Sequence, residues 1–246
     1  LDFSRASTAT YFDNNGVLQS AAIDEPRFDH DPVTGEPLGV LIEPASVNAT
    51  VWSEDLSNEY WTKTAVTVTP NAGISPRGDM TADLITSTTT SSAQYVRDGM
   101  GVSSNNSRGV VSVFLKSNGV RYVQLNVAPN TNRRVAVFDI IDGVVAKDVT
   151  LSTDRGLTKI TDVGDGWFLC QFNGTYTSSG VHIVFLDDAT GNFDLTTPFA
   201  SGDGVIGVYA WGAMFTRSSY SPGSYIPTAG APVTRAADVL TTKSGV

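Results

Sequence analysis

The chain has 246 residues, with 16 basic against 25 acidic side chains and a formal charge of −9. An apolar share of 41% with 17% charged excludes wholesale disorder, and an acidic balance without basic clusters argues against nucleic acid or an anionic membrane surface as a partner. No run approaches the ~20 apolar residues of a bilayer span, which argues against membrane insertion, and a single cysteine, Cys170, forbids any intrachain disulfide. The first residue is Leu1 and no charged start followed by an apolar run reads as a signal peptide, so a fragment or processed form of a longer polypeptide is expected.

In chain order, Phe12-Asp13-Asn14-Asn15-Gly16-Val17 reads as a first hairpin turn, and residues 27–37 as a second turn leading into Gly39-Val40-Leu41-Ile42-Glu43. Two hairpins of this size are not stable alone and must lie on something. Residues 53–61 are the one short-helix candidate, a single turn at most. Residues 110–116 (VVSVFLK) group Val111, Val113 and Leu115. Residues 120–127 (VRYVQLNV) put Val123, Leu125 and Val127 on one face and Tyr122, Gln124 and Asn126 on the other. Residues 134–141 and 143–149 form a hairpin about Asp142-Gly143, a dipeptide suited to tight turns. Residues 166–174 (GWFLCQFNG) align Phe168, Cys170 and Phe172, and strands over 181–186 and 205–215 complete the set. The C-terminal run from Ser224 to Asp238 is extended. Ser4-Arg5-Ala6-Ser7 is faintly echoed by Thr234-Arg235-Ala236-Ala237, by coincidence or because the ends pair. No window of a dozen residues holds a helical apolar period, so the fold class is all-β, an antiparallel sandwich with a core between two sheets.

Several segments together resemble one family. FSRASTATYFDNNGVLQSAAIDEPRFDHDPVTGEPLGVLIEP (3–44), VWSEDLSNEYWTK (51–63), KITDVGDGWFLCQF (159–172), VYAWGAMF (208–215) and SYSPGSYIPTAGAPVTRAADVL (219–240) are similar to landmarks of a domain of bacteriophage and prophage virion proteins, in tail fibres, tailspikes and head-spike fibres. Met214-Phe215 departs from the family's usual polar pair after Trp211-Gly212-Ala213, and the middle of the chain is divergent. The resemblance implies a jelly-roll-like β-sandwich of the carbohydrate-binding-module type, with N-terminal hairpins packed on it. It divides the chain into a hairpin segment over 1–48 for packing or docking, a jelly-roll carbohydrate-binding-like domain over 49–238, and a C-terminal tail over 239–246. The expected function is host attachment: a virion-surface protein, on head or tail, that binds capsule, O-antigen or exopolysaccharide without cleaving it. Other virion proteins are expected partners, and the likeness to fibres and spikes implies a homo-trimer. The alternatives are a polysaccharide depolymerase working with two carboxylates, and a purely structural capsid or tail decoration.

Sugar rings pack their apolar C–H faces on aromatic side chains while polar neighbours bond the hydroxyls. Trp61, Trp167, Tyr209 and Trp211 lie inside the shared signatures and are read as framework. Tyr122, Gln124 and Asn126 lie outside them, on the face opposite an apolar stripe, and have the chemistry of a sugar platform; an ordinary solvated strand face is the competing reading. Tyr95 and Arg97, on the preceding strand candidate, extend that surface. No cofactor is expected. Asp187, Asp188 and Asn192 cluster oxygen ligands in a loop, a weak candidate for Ca²⁺, whereas the residues around Asp29-His30-Asp31 lack EF-hand spacing and read as a turn. His30 and His182 have no flagged Ser or Cys partner, so no catalytic residue is assigned, and most carboxylates, among them Asp13, Asp29, Asp31, Asp142, Asp162 and Asp165, sit in turn contexts.

Overall fold

The computed structural model describes residues 1–88, 94–98, 107–127, 134–150, 157–176, 181–186, 203–217 and 223–242. The strands are β1 (Asp2–Ser4), β2 (Ala9–Phe12), β3 (Leu18–Ala21), β4 (Phe28–His30), β5 (Pro37–Val40), β6 (Ser46–Asn48), β7 (Trp61–Thr64), β8 (Val66–Gly73), β9 (Ala82–Ser87) and β10 (Tyr95–Asp98). They continue with β11 (Ser107–Asn118), β12 (Tyr122–Val127), β13 (Arg134–Asp139), β14 (Val144–Thr150), β15 (Thr158–Asp162), β16 (Trp167–Tyr176), β17 (Val181–Leu186), β18 (Gly207–Arg217), β19 (Val233–Arg235) and β20 (Val239–Thr241). The described residues contain no helix. Residues 53–60 fold as bends and turns instead of the helical turn expected; Asp55 Oδ1 accepts the Asn58 N–H at 3.0 Å and Asp83 Oδ2 accepts the Leu56 N–H at 2.7 Å.

The fold is an all-β antiparallel sandwich. One sheet has six strands in the order β14-β13-β12-β17-β10-β7; the other has eight, β15-β16-β11-β18-β6-β19 with β9 pairing β18 and β8 pairing β9. Alternation decides what goes between them. Val96, Val123, Leu125, Phe138 and Ile183 from the first sheet meet Val111, Val113, Leu115, Cys170, Phe172 and Phe215 from the second in one buried cluster. The hairpin about Asp142-Gly143 forms as expected, with Gly143 at φ 66° and its N–H donating to the Asp139 carbonyl at 3.0 Å.

The framework tryptophans are buried. Trp61, Trp167 and Trp211 are at most 3% exposed, and each indole N–H donates to the protein: to the Trp52 carbonyl, the Ile74 carbonyl and the Thr81 hydroxyl. Trp211 owes its position to a bulge. Along β11, Ser112 and Phe114 are two apart, whereas their partners Met214 and Trp211 are three apart. Gly212 takes up the extra residue at φ 63°, and a Cβ there would lie 2.9 Å from the Phe114 ring. Trp211 and Met214 thereby both leave the inter-sheet core and join a second apolar cluster, with Phe114, Trp167, Leu18 and Tyr225, on the outer face of the eight-stranded sheet. The hairpin β2–β3 lies over this face through Leu18 and Phe12, and β4–β5 faces the cleft beside it with His30 and Leu38.

The ends of the chain pair. β1 runs antiparallel to β20, with Asp2 opposite Thr241 and Ser4 opposite Val239, so residues 239–241 of the expected tail belong to a sheet; Ser46–Asn48, the end of the expected hairpin segment, joins the eight-stranded sheet through β18 and β19. Behind the terminal pair lies a buried ionic knot. Asp238 accepts from Arg5 at 3.1 Å and Arg27 at 2.5 Å, and Glu43 accepts from Arg27 at 2.8 Å and lies 3.4 Å from Arg235. The echo between Arg5 and Arg235 marks two arginines of one cluster.

Candidate functional site

Register assembles the expected platform from two separated strands. β17 pairs on one side with β12 and on the other with β10. Gln124 and Tyr95 both lie opposite Val184, and Asn126 and Arg97 both lie opposite His182. Tyr122 lies opposite Leu186 on one side and Asp139 on the other. The five expected positions therefore share the outer face of the six-stranded sheet, because residues directly across an antiparallel ladder point the same way. Adjacent strands lie about 4.8 Å apart, so the span from Gln124 to Tyr95 across β17 is about 10 Å. Only the backbone position of Asn126 is described.

The face is less open than alternation alone implies. Tyr95, Arg97 and Tyr122 are half-buried, and Gln124, expected on an exposed surface, is only 1% exposed. Its neighbour on β13, Val137, is itself fully buried, so this part of the outer face is covered. Burial gives Gln124 an unusual status, since its Oε1 has no hydrogen-bond partner among the described residues. A buried amide acceptor without a donor costs roughly 1–3 kcal/mol. Arg97 forms no hydrogen bond or ion pair among the described residues.

One end of the face is held by charge. The Arg121 guanidinium stands 5.5 Å from the Tyr122 ring centroid, donates to Asp139 at 2.9 Å and also contacts Asp142. Asp139 accepts the N–H groups of Ile141 and Asp142 as well. Burial pushes the Asp139 pKa up, but these N–H groups and Arg121 outweigh it and hold the carboxyl below the usual carboxylate range. Asp139 is thus spent on the hairpin and on fixing Arg121 beside Tyr122. Sequence reading missed Arg121, although its adjacency to Tyr122 was visible; its reach to Asp139 depends on the hairpin closing.

Elsewhere the turn carboxylates behave as their contexts suggest. Asp13 Oδ1 accepts the Asn15 and Val17 N–H groups, and Asp31 Oδ1 accepts those of Val33 and Thr34. Both pKa values are lowered: at Asp31 by the N–H groups of Thr34 and Val33, at Asp13 by N–H groups and Gln19 against burial. The candidate Ca²⁺ ligands Asp187, Asp188 and Asn192 lie outside the described residues. Among the described residues no group of three His, Cys, Asp or Glu side chains is placed to hold a metal ion.

No protein-family model matches the chain, nor does any curated protein sequence. Among solved structures it is similar to the CBM22-1–GH10 modules of Clostridium thermocellum endo-1,4-beta-D-xylanase 10B, complexed with xylohexaose, with 14% identity over 75% of this chain and a TM-score of 0.37. The match spans 30% of that chain's length, and a likeness this distant carries no argument about ligand or activity.

Proposed function

We propose that this chain is a non-catalytic glycan-binding module of a phage fibre or spike, and that it holds bacterial surface polysaccharide on the outer face of the six-stranded sheet. The observation that carries the reading is the buried Gln124 Oε1, which has no donor among the described residues and shares its face with two half-buried tyrosines and with Arg97, unpaired among the same residues. A sugar offers a hydroxyl proton to Gln124, a hydroxyl or carboxylate oxygen to Arg97, and an apolar C–H face to Tyr95 or Tyr122. The virion setting rests on the sequence signatures at both ends. In that setting a shallow, weak site becomes effective through copy number, with several modules on a trimer and many trimers on a particle raising the effective concentration.

Among the described residues of this face, the Asp139 carboxylate is committed to Arg121 and two backbone donors, which favours holding over hydrolysis. The test is retention of the isolated protein on host cells and on a glycan array, with Tyr122→Ala as the control. Retention that Tyr122→Ala weakens without shifting the melting temperature supports the reading. No retention at high protein concentration favours a decoration role instead, and release of reducing ends from host capsule makes the protein a depolymerase.

A further inference from the structure

A cleft of about 280 Å³ lies on the other side of the sandwich, between the outer face of the eight-stranded sheet and the N-terminal hairpins. Its base is a strip set by register: Thr161 lies opposite Leu169, and Leu169 opposite Phe114. Phe12, Leu18 and Leu38 close it from the hairpin side. The volume falls just under the usual range of small-molecule pockets, about 300–1,000 Å³, and suits one or two fused rings better than a polymer chain.

The polar groups of the cleft sort into engaged and free. Asp29 Oδ1 accepts the Phe12 N–H at 2.9 Å, and Glu43 is held by Arg27 at 2.8 Å and the Ser224 hydroxyl at 2.7 Å. His30 donates from Nδ1 to the Phe12 carbonyl at 3.3 Å. Two groups on β15 remain free. Among the described residues the Thr161 hydroxyl oxygen is buried with no hydrogen-bond partner, and Lys159, two residues away on the same strand face, is exposed and forms no ion pair. An apolar floor with a free hydroxyl and a free ammonium along one wall complements a flat apolar group that carries a negative head.

We propose that this cleft is a second binding site, for a small aromatic acid whose rings lie on Leu169 and Phe114 and whose carboxylate meets Lys159 and the Thr161 hydroxyl. The site is separate from the sheet face assigned to glycan, and neither reading depends on the other.

Titration of the ¹⁵N-labelled full chain with 2-naphthoate, and with 2-naphthalenemethanol as its neutral counterpart, tests the proposal. Saturable shifts are expected at the Thr161, Gln171 and Tyr11 amides, with the acid binding more tightly than the alcohol. Lys159→Gln alters an exposed side chain and is expected to weaken the acid roughly three- to fivefold, the scale of one exposed charge contact, and to leave the alcohol unchanged. Thr161→Val is expected to act in the same direction. Shifts confined to Tyr95 and Tyr122, equal affinity for acid and alcohol, or indifference of the acid to Lys159→Gln would each overturn it.

Discussion

Arg5 and Asp238 are 233 positions apart, yet their side chains meet at 3.1 Å with neither exposed to solvent. Asp238 also takes Arg27 and the Glu43 N–H, so one carboxylate ties together the N-terminal hairpins, the link into the sandwich and the C-terminal run. Breaking a buried pair by removing one partner costs about 3–5 kcal/mol, because a charge is left without compensation. Asp238→Ala should therefore destabilise the protein by that order in chemical denaturation, and a change under 1 kcal/mol would show that the knot is structurally idle.

The same carboxylate sets an acid limit. Burial acts to raise the Asp238 pKa, but the Glu43 N–H, Arg5 and Arg27 prevail and hold it below the usual value. A carboxyl depressed in the folded state contributes stability that is present above its unfolded pKa, about 4, and is lost as pH falls through the folded value. Melting temperatures measured downward from pH 5 should fall in wild type more steeply than in Asp238→Ala; parallel curves would contradict the assignment.

Gly212 is the point at which β18 admits its extra residue. Gly212→Ala has to adopt a left-handed backbone and brings a methyl group within 2.9 Å of the Phe114 ring. A loss of about 1–3 kcal/mol is expected. Near-ultraviolet circular dichroism should change with it, since Trp211, Phe114 and Tyr225 pack at centroid distances of 4.9–6.0 Å around the bulge.

Gln124→Leu separates binding from folding. Removing a buried acceptor that has no donor should leave stability unchanged or raise it by up to about 1 kcal/mol. Retention on host glycan should fall at the same time. A variant that melts much lower would mean that the amide nitrogen, and not the orphan oxygen, dominates at this position.

Thr161→Val gives the parallel case on the other sheet. Its buried, unpartnered hydroxyl is a cost to the folded state, so the valine variant should gain roughly 1 kcal/mol and show a higher melting temperature, with glycan retention untouched.

Local alternation made most strands legible. The stripe Val123-Leu125 and the group Phe168-Cys170-Phe172 identify inner faces directly: Val123, Leu125, Cys170 and Phe172 fall in the core and Phe168 packs against it. Turn chemistry at Asp13-Asn14-Asn15-Gly16 and at Asp142-Gly143 was equally readable, because those turns are closed by their own residues. Order within the sheets was not readable. β12 lies beside β17, and β11 beside β16 and β18, and nothing local in these strands encodes those partners. The site divided along the same line. Period two gave the shared face of Tyr122 and Gln124, but not the burial of Gln124, which alternation cannot report. The cleft beneath the hairpins was invisible for a similar reason, since its walls come from segments more than 100 residues apart.

The terminal strands also fix how the molecule answers tension. Because β1 and β20 are antiparallel with Asp2 opposite Thr241 at the outer edge, a pull on the two ends peels this pair open one rung at a time. The next residues inward, Arg5 and Asp238, are the salt-bridged pair, so the zipper runs three rungs and then meets a charged stop before any force reaches the sandwich.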